Sequence, residues 1–229
     1  MWLATVIFSS GFWLQQVVIG WLAYEVTQSP LLTSVIMCLD ALPILLGAPL
    51  GGVVTDHFDK RKLLAFIYCY QAILLTLFAI VIATGQIAPW HLFAFVFMMG
   101  IAWTIHDPAR MSLITSIVPK EKLVNAFALN SLAFSIMRLV MPALGGLLLS
   151  SIGTWTLLLL QACLVVSAGL TIQLVKLPKL RTDNRPPLKL KYIFSEFQVG
   201  LRFLKTQPTL IGFMLLSVTM VIVIVPFVI

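Results

Sequence analysis

The feature that most limits what this chain can become is the return, about seven times, of an apolar run long enough to cross a bilayer. A spanning helix needs roughly 20 predominantly apolar residues. Runs of that length cover about 3–24, 31–54, 63–84, 90–111, 124–150, 155–176 and 209–229, each ended by a cluster of charge, proline or glycine. A lipid-facing backbone has to satisfy its own hydrogen bonds, so every span is expected to be helical. The fold class that follows is an all-α polytopic membrane protein. A cleaved signal peptide accounts for one such run near the start of a chain, not for a series. Only 10% of the residues are charged, against roughly 25% in an ordinary soluble domain.

Where the charges sit says more than their sum. A net charge of +7 would point a soluble protein toward nucleic acid, but these cations lie in short loops and imply no such partner. The second loop holds Lys60, Arg61 and Lys62, and the region of the fourth holds Arg110, Lys120 and Lys122. The sixth and its flanks hold Lys176, Lys179, Arg181, Arg185, Lys189, Lys191, Arg202 and Lys205. The first, third and fifth loops hold none. Basic loops stay cytoplasmic, so the amino terminus is expected in the cytoplasm and the chain in a cell membrane. Cys38, Cys69 and Cys163 fall inside apolar runs without metal-site or CxxC spacing, and read as packing residues; no metal or cofactor is implied.

One device occurs twice. Pro49-Leu50-Gly51-Gly52 lies near the basic end of span two, and Pro142-Ala143-Leu144-Gly145-Gly146 near the opposite end of span five. Inverted three-helix repeats of this kind mark secondary transporters, whose two units form alternate gates around a central site. Proline and glycine pairs also recur by chance in membrane helices. Gly47-xxx-Gly51 has the spacing that lets two helices approach closely.

Two motifs carry a family resemblance. The segment Gly52-Val53-Val54-Thr55-Asp56-His57-Phe58-Asp59-Lys60-Arg61-Lys62 resembles the loop between helices two and three of the major facilitator superfamily, close to G-x-x-x-D-R/K-x-G-R-R/K. His57 stands where that pattern has Arg or Lys, and Asp59 where it has Gly. Pro142, Gly145 and Gly146 resemble the end of the helix-five antiporter motif G-P-x-x-G-G, with Met141 in place of its first Gly. Leu42-Pro43, Asp107-Pro108-Ala109-Arg110, Val118-Pro119, Asn125-Ala126, Asn130-Ser131 and Gly200-Leu201-Arg202-Phe203-Leu204 to Pro208 are similar to the exporter branch that includes macrolide efflux proteins and enterobactin exporters. The resemblance implies a six-helix amino-terminal domain of inverted 3+3 repeats over 1–176. It further implies a cytoplasmic basic linker with an amphipathic helix over 177–208, and the first helix of a second half over 209–229.

The resemblance also implies roles. In the family the loop latches the two halves, with its Asp, here Asp56, meeting a helix amino terminus of the other half. Its cations, here Lys60 and Arg61, pair with an acid near helix four, for which Asp107 is the candidate, with Arg110 beside it. The loop reads equally as a topology signal without a gating role. Histidine is the side chain that ordinarily changes charge near neutral pH, so His57 reads either as a sensor or as simply solvated.

Inside the spans, charged groups are functional suspects by default. Asp40 lies 16 residues before Asp56 and Arg138 lies 17 after Glu121, about 24 and 26 Å along a helix at ~1.5 Å per residue. An ion pair at similar depth is therefore allowed. An apolar cavity favours the neutral acid and a nearby Arg favours the carboxylate, a competition that proton coupling needs; a permanent structural pair is the alternative. Gln15, Gln16 and Asn130 add uncharged hydrogen-bonding groups, and adjacent glutamines diverge by about 100° on a helix. Phe12, Trp21 and Trp103 either line a pocket or contact lipid. The expected function is proton-coupled export of a hydrophobic or amphipathic small molecule, such as a drug, macrolide or siderophore-like compound. Uptake or lipid flipping in the same fold is the alternative. No span or loop carries the motif of a membrane enzyme, nor the seventh span a lysine for a retinal protein.

Overall fold

The computed structural model describes residues 1–174 and, beyond them, Gly212, Leu216 and Thr219, all three helical. The expected linker 177–208 and the rest of the seventh span 209–229 lie outside the described residues. The chain divides into two units, Met1–Arg185 and Pro186–Ile229, and the helices that follow belong to the first.

Those helices are α1 (Trp2–Thr27), α2 (Pro30–Cys38), α3 (Ala41–His57), α4 (Lys60–Ala83), α5 (Pro89–Ile117), α6 (Leu123–Ile152) and α7 (Thr154–Gln173). A short 3-10 turn, Lys120–Lys122, leads into α6. Together they make six spans long and apolar enough to cross a membrane among the described residues. Starts follow ordinary capping chemistry. The Ser29 hydroxyl accepts from the Leu32 amide, with Pro30 in the first turn of α2. The Asp59 carboxylate accepts from the amides of Arg61 and Lys62 and so starts α4. Between α6 and α7 stands Gly153, whose φ of 79° suits glycine.

Span two, expected as one helix over about 31–54, is two helices broken at Leu39 and Asp40. Pro43 is the reason: it has no amide proton for the carbonyl of Leu39 and its ring crowds that turn. The Leu39 carbonyl takes instead a tighter bond from the Leu42 amide at 3.2 Å. Span four runs to Ile117, past its expected end near residue 111, with Pro108 inside it. Here the proline leaves the carbonyl of Thr104 without its i+4 donor.

These two defects meet glycines of the partner helix. A Cβ on Gly51 of α3 would land on the carbonyl oxygen of Thr104. One on Gly47 would come within 2.7 Å of the Thr104 methyl. Conversely, a Cβ on Gly100 of α5 would meet the backbone oxygen and Cα of Asp40 at 2.7 and 2.9 Å and the Pro43 ring at 3.0 Å. Span two therefore lies backbone to backbone on α5 through Gly47, Gly51 and Gly100, the small-residue packing that membrane helices use in place of hydrophobic burial.

The packing repeats under exchange of the first three spans with the second three. α1 rests on α6 and α7, α5 rests in the same way on α3 and α4, and α4 packs on α7. The paired glycines follow suit. Gly51 abuts α5, and Gly145 abuts Leu14 and Val17 of α1, where a Cβ would come within 3.2 Å. Gly52 and Gly146 face nothing within 4 Å among the described residues. Because three is odd, the second repeat runs the other way across the bilayer, as an inverted 3+3 fold requires. Between α1, α4, α5 and α7 lies the core, with Phe8, Tyr68, Leu75, Leu92, Leu157 and Leu158 buried and Phe78 stacked on Phe95 at 4.3 Å.

Gly51→Ala is expected to destabilise the detergent-solubilised chain by about 1–3 kcal/mol through overpacking, while Gly52→Ala stays within about 0.5 kcal/mol of the parent. Thermal unfolding followed by intrinsic fluorescence distinguishes the two.

Candidate functional site

The loop from Gly52 to Lys62 sits at the end of the bundle that also holds Met1, the 3-10 turn and the last residues of α7. Its cations serve helix ends. Lys60 donates from Nζ to the Ser116 hydroxyl at 2.8 Å and the Ser112 carbonyl at 3.3 Å, in the last turn of α5. Arg61 donates from Nη1 to the carbonyl of Gln173, at the end of α7, at 3.3 Å. A cation at a helix carboxyl end meets the negative pole of its dipole. Asp59 caps α4, which accounts for an aspartate where the family pattern has glycine. Asp56 is exposed at the end of α3 without a partner among the described residues. His57 packs its ring edge-on to Phe58.

Asp107 does not receive Lys60 or Arg61. Its carboxylate binds its own helix neighbour, accepting from Nη2 of Arg110 at 2.7 Å. Arg110, counted from sequence among the loop cations, is turned inward and only 7% exposed. Its Nη1 donates to Oδ1 of Asn130 at 2.9 Å, and the same oxygen accepts from the Thr5 hydroxyl at 2.9 Å. The Thr5–Asn130–Arg110–Asp107 network thus ties α1, α6 and α5 together near the basic end. Beside it His106, fully buried, stacks on Phe8 at 4.1 Å and has Nε2 3.2 Å from the Tyr68 hydroxyl. Sequence reasoning missed His106 and the inward turn of Arg110. The signal was their spacing: positions 106 and 110 share one helix face.

Asp40 sits at the break of span two, half-buried. It lines a small void with Gln15, Gln16, Phe12, Met37, Met99 and Trp103. Gln15 also reaches α7, accepting from Nε2 of Gln161 at 2.6 Å. Both adjacent glutamines border the void, but they diverge: Gln16 borders this void alone, while Gln15 is turned also toward α7. Asn130 belongs to the Arg110 network instead. Arg138 does not pair with Asp40. It lies on α6, which packs on α1, while Asp40 faces α1 and α5 from span two. The Arg138 guanidinium rests over the Trp13 ring at 5.3 Å. Phe12 contacts Trp103 at 4.7 Å and Phe134 at 5.9 Å, joining Asp40's surroundings to α6. Trp21 stands apart, donating to Glu25 at 3.0 Å beside a groove of about 460 Å³ between α1, α6 and α7.

A family described as transmembrane secretion effector matches residues 1–225. The chain belongs to this family of the major facilitator superfamily. Macrolide efflux protein A of Streptococcus pyogenes is 26% identical over 213 residues, 93% of this chain and 52% of that protein. The staphyloferrin A transporter of Staphylococcus aureus is 22% identical, covering 82% and 48%. Enterobactin exporter EntS of Shigella flexneri is 27% identical, covering 79% and 42%. The chain spans about half the length of the curated relatives it matches. The family and these relatives are transporters rather than enzymes.

Asn130→Leu removes the acceptor that Arg110 Nη1 and the Thr5 hydroxyl share while Asp107 still holds Arg110, and is expected to cost about 2 kcal/mol, the loss typical of a buried hydrogen bond to a charged group. Asp59→Ala, which removes only a cap, is expected to cost about 1 kcal/mol. Melting of the two variants in the same detergent tests the order.

Proposed function

We propose that this chain supplies one half of a secondary active transporter that exports a hydrophobic or amphipathic small molecule by alternating access, coupled to protons through Asp40. The observation that carries the reading is the distribution of cover over the six spans. The window of span two is 11% buried and that of span five 11% buried, against 39–56% for the other four. Spans two and five are equivalent under the repeat, so the bundle leaves two matched apolar faces uncovered, with Leu45 and Leu139 exposed among others. A second six-helix half, from this or another chain, would cover both, and the relatives' length leaves room for one. Between those faces lie α1 and α5 with Phe12, Trp13, Gln16 and Trp103, apolar walls with few polar anchors, as a pocket for an amphipathic molecule needs. Two of the relatives' names, an efflux protein and an exporter, support efflux over uptake.

Asp40 is the reading's proton acceptor because the groups facing it from α1 and α5 are Gln15, Gln16, Val96, Met99 and Trp103, none of them charged. Among the described residues no counter-ion holds it in one state. Arg138, exposed on α6 over Trp13, serves as a substrate contact in this scheme rather than as the partner of Asp40. Basic loops place the amino terminus and the Asp56 loop in the cytoplasm of a cell-membrane protein. There Asp56 is free to meet the second half as a latch.

In oriented vesicles holding the full-length transporter, Asp40→Asn is expected to abolish substrate-driven proton movement while substrate binding survives. Unchanged coupling removes Asp40 from the mechanism, and inward-directed accumulation replaces export by uptake.

A further inference from the structure

Two voids inside the bundle share four wall residues, Phe12, Gln15, Met99 and Trp103. One is closed by Asp40, Gln16 and Met37, and the other by Gln71, Gln161 and Phe8. Each offers about 10 Å³, the space of a single water. The second is walled by three glutamines from three helices: Gln15 of α1, Gln71 of α4 and Gln161 of α7, exposed by 9, 3 and 2%. Gln161 donates its amide to Oε1 of Gln15. The Oε1 atoms of Gln71 and Gln161 are buried without a donor among the described residues.

Unmet buried acceptors are uncommon in native proteins, and an ordered water is the usual remedy. Two orphan oxygens on the wall of one small void call for a ligand with two donors, which a water has. Gln15 then stands between this void and the one that holds Asp40, bordering both. We propose that the void between Gln15, Gln71 and Gln161 is a built water site, and that with the adjoining void it keeps the Asp40 carboxyl in contact with buried water. No side chain facing Asp40 from α1 or α5 exchanges protons readily, so water is the group through which a proton reaches or leaves it in the closed bundle. The water site stands on the cavity and the two oxygens alone. Its role in proton exchange rests on the coupling function proposed for Asp40.

X-ray radiolytic footprinting of the full-length protein in lipid nanodiscs tests the site, since radicals born from bound water oxidise the side chains beside it. Phe8 borders the glutamine void and not the one that holds Asp40, and is 4% exposed, while Met98 is 45% exposed. Oxidation of Phe8 is expected in the parent and should fall about five-fold in a Gln71→Leu, Gln161→Leu variant, with Met98 unchanged, as removal of one ordered water predicts. A Phe8 as inert in the parent as in the variant, or oxidised equally in both, overturns the proposal. Should the variant not fold, a high-resolution density map of the parent decides: a peak within hydrogen-bonding distance of both Oε1 atoms supports the site, and an empty void overturns it. A sodium-dependent rise in melting temperature that Gln71→Leu abolishes also overturns it, in favour of a cation. For the second part, proton–deuteron exchange of the Asp40 carboxyl, read as the infrared band lost in Asp40→Asn, should slow about ten-fold in the glutamine variant. Exchange at the parent rate overturns the relay. Coupling that survives Asp40→Asn while the Phe8 and density results hold removes the coupling function and leaves the water site standing.

Discussion

The contact on which the rest of the bundle depends is the crossing of span two over α5. In lipid, apolar side chains gain little by leaving their neighbours for one another, so two helices hold together where their backbones can touch. Here each helix brings a proline that spoils a backbone hydrogen bond and a glycine that receives the spoiled turn of the other. Pro108 frees the Thr104 carbonyl, and Gly51 has no Cβ to keep it away. Pro43 breaks span two at Asp40, and Gly100 lets that break sit against α5. Asp40 is thereby held beside Met99, the residue before Gly100, and Trp103, about one turn after it. The crossing at Gly145 on α1 is its counterpart in the second repeat, though without a helix break.

Polar groups within the spans are treated in two ways. Arg110 is surrounded by acceptors: Asp107 on its own helix and Asn130 on α6, which also takes Thr5 of α1. This joins one helix of the first repeat to two of the second, near the basic end, and Lys60 and Arg61 reinforce that end by meeting the carboxyl termini of α5 and α7. At the other end Trp21, Glu25, Ser150 and Thr154 border an open groove instead. Among the described residues Asp40 and Arg138 have no such shell of polar partners, Arg138 resting only over the Trp13 ring. A charge in a bilayer without compensation is costly, and that contrast with Arg110 is why the proposed function is built on these two.

Much of the fold was legible from residues. Six of the expected spans are helical in the expected order, span two in two pieces and span four longer than hydropathy suggests. The repeat was visible in two proline and glycine motifs, and the packing of Gly51 and Gly145 has the same symmetry. Less of the site could be read. Asp40 and Arg138 lie at similar depth by residue count, but depth along a helix does not say which neighbour a side chain faces, and α1 separates them. Asp107 was matched to the loop cations for its position at the end of span four. Its nearest donor proved to be Arg110 one turn away, since an i, i+3 pair needs no tertiary coincidence. The basic count near the fourth loop included an arginine whose side chain points into the core, because a proline two residues earlier does not end this helix.

Sequence alone determined that the chain crosses a membrane several times as helices, that basic residues gather at one end, and that two three-helix units repeat. These properties follow from hydropathy, helix periodicity and charge, which act locally along the chain. Tertiary structure alone decided which polar groups meet. The Arg110 network, the three converging glutamines and the placing of Asp40 against Gly100 depend on how helices rotate and cross, and those rotations are chosen by close packing between residues far apart in the chain.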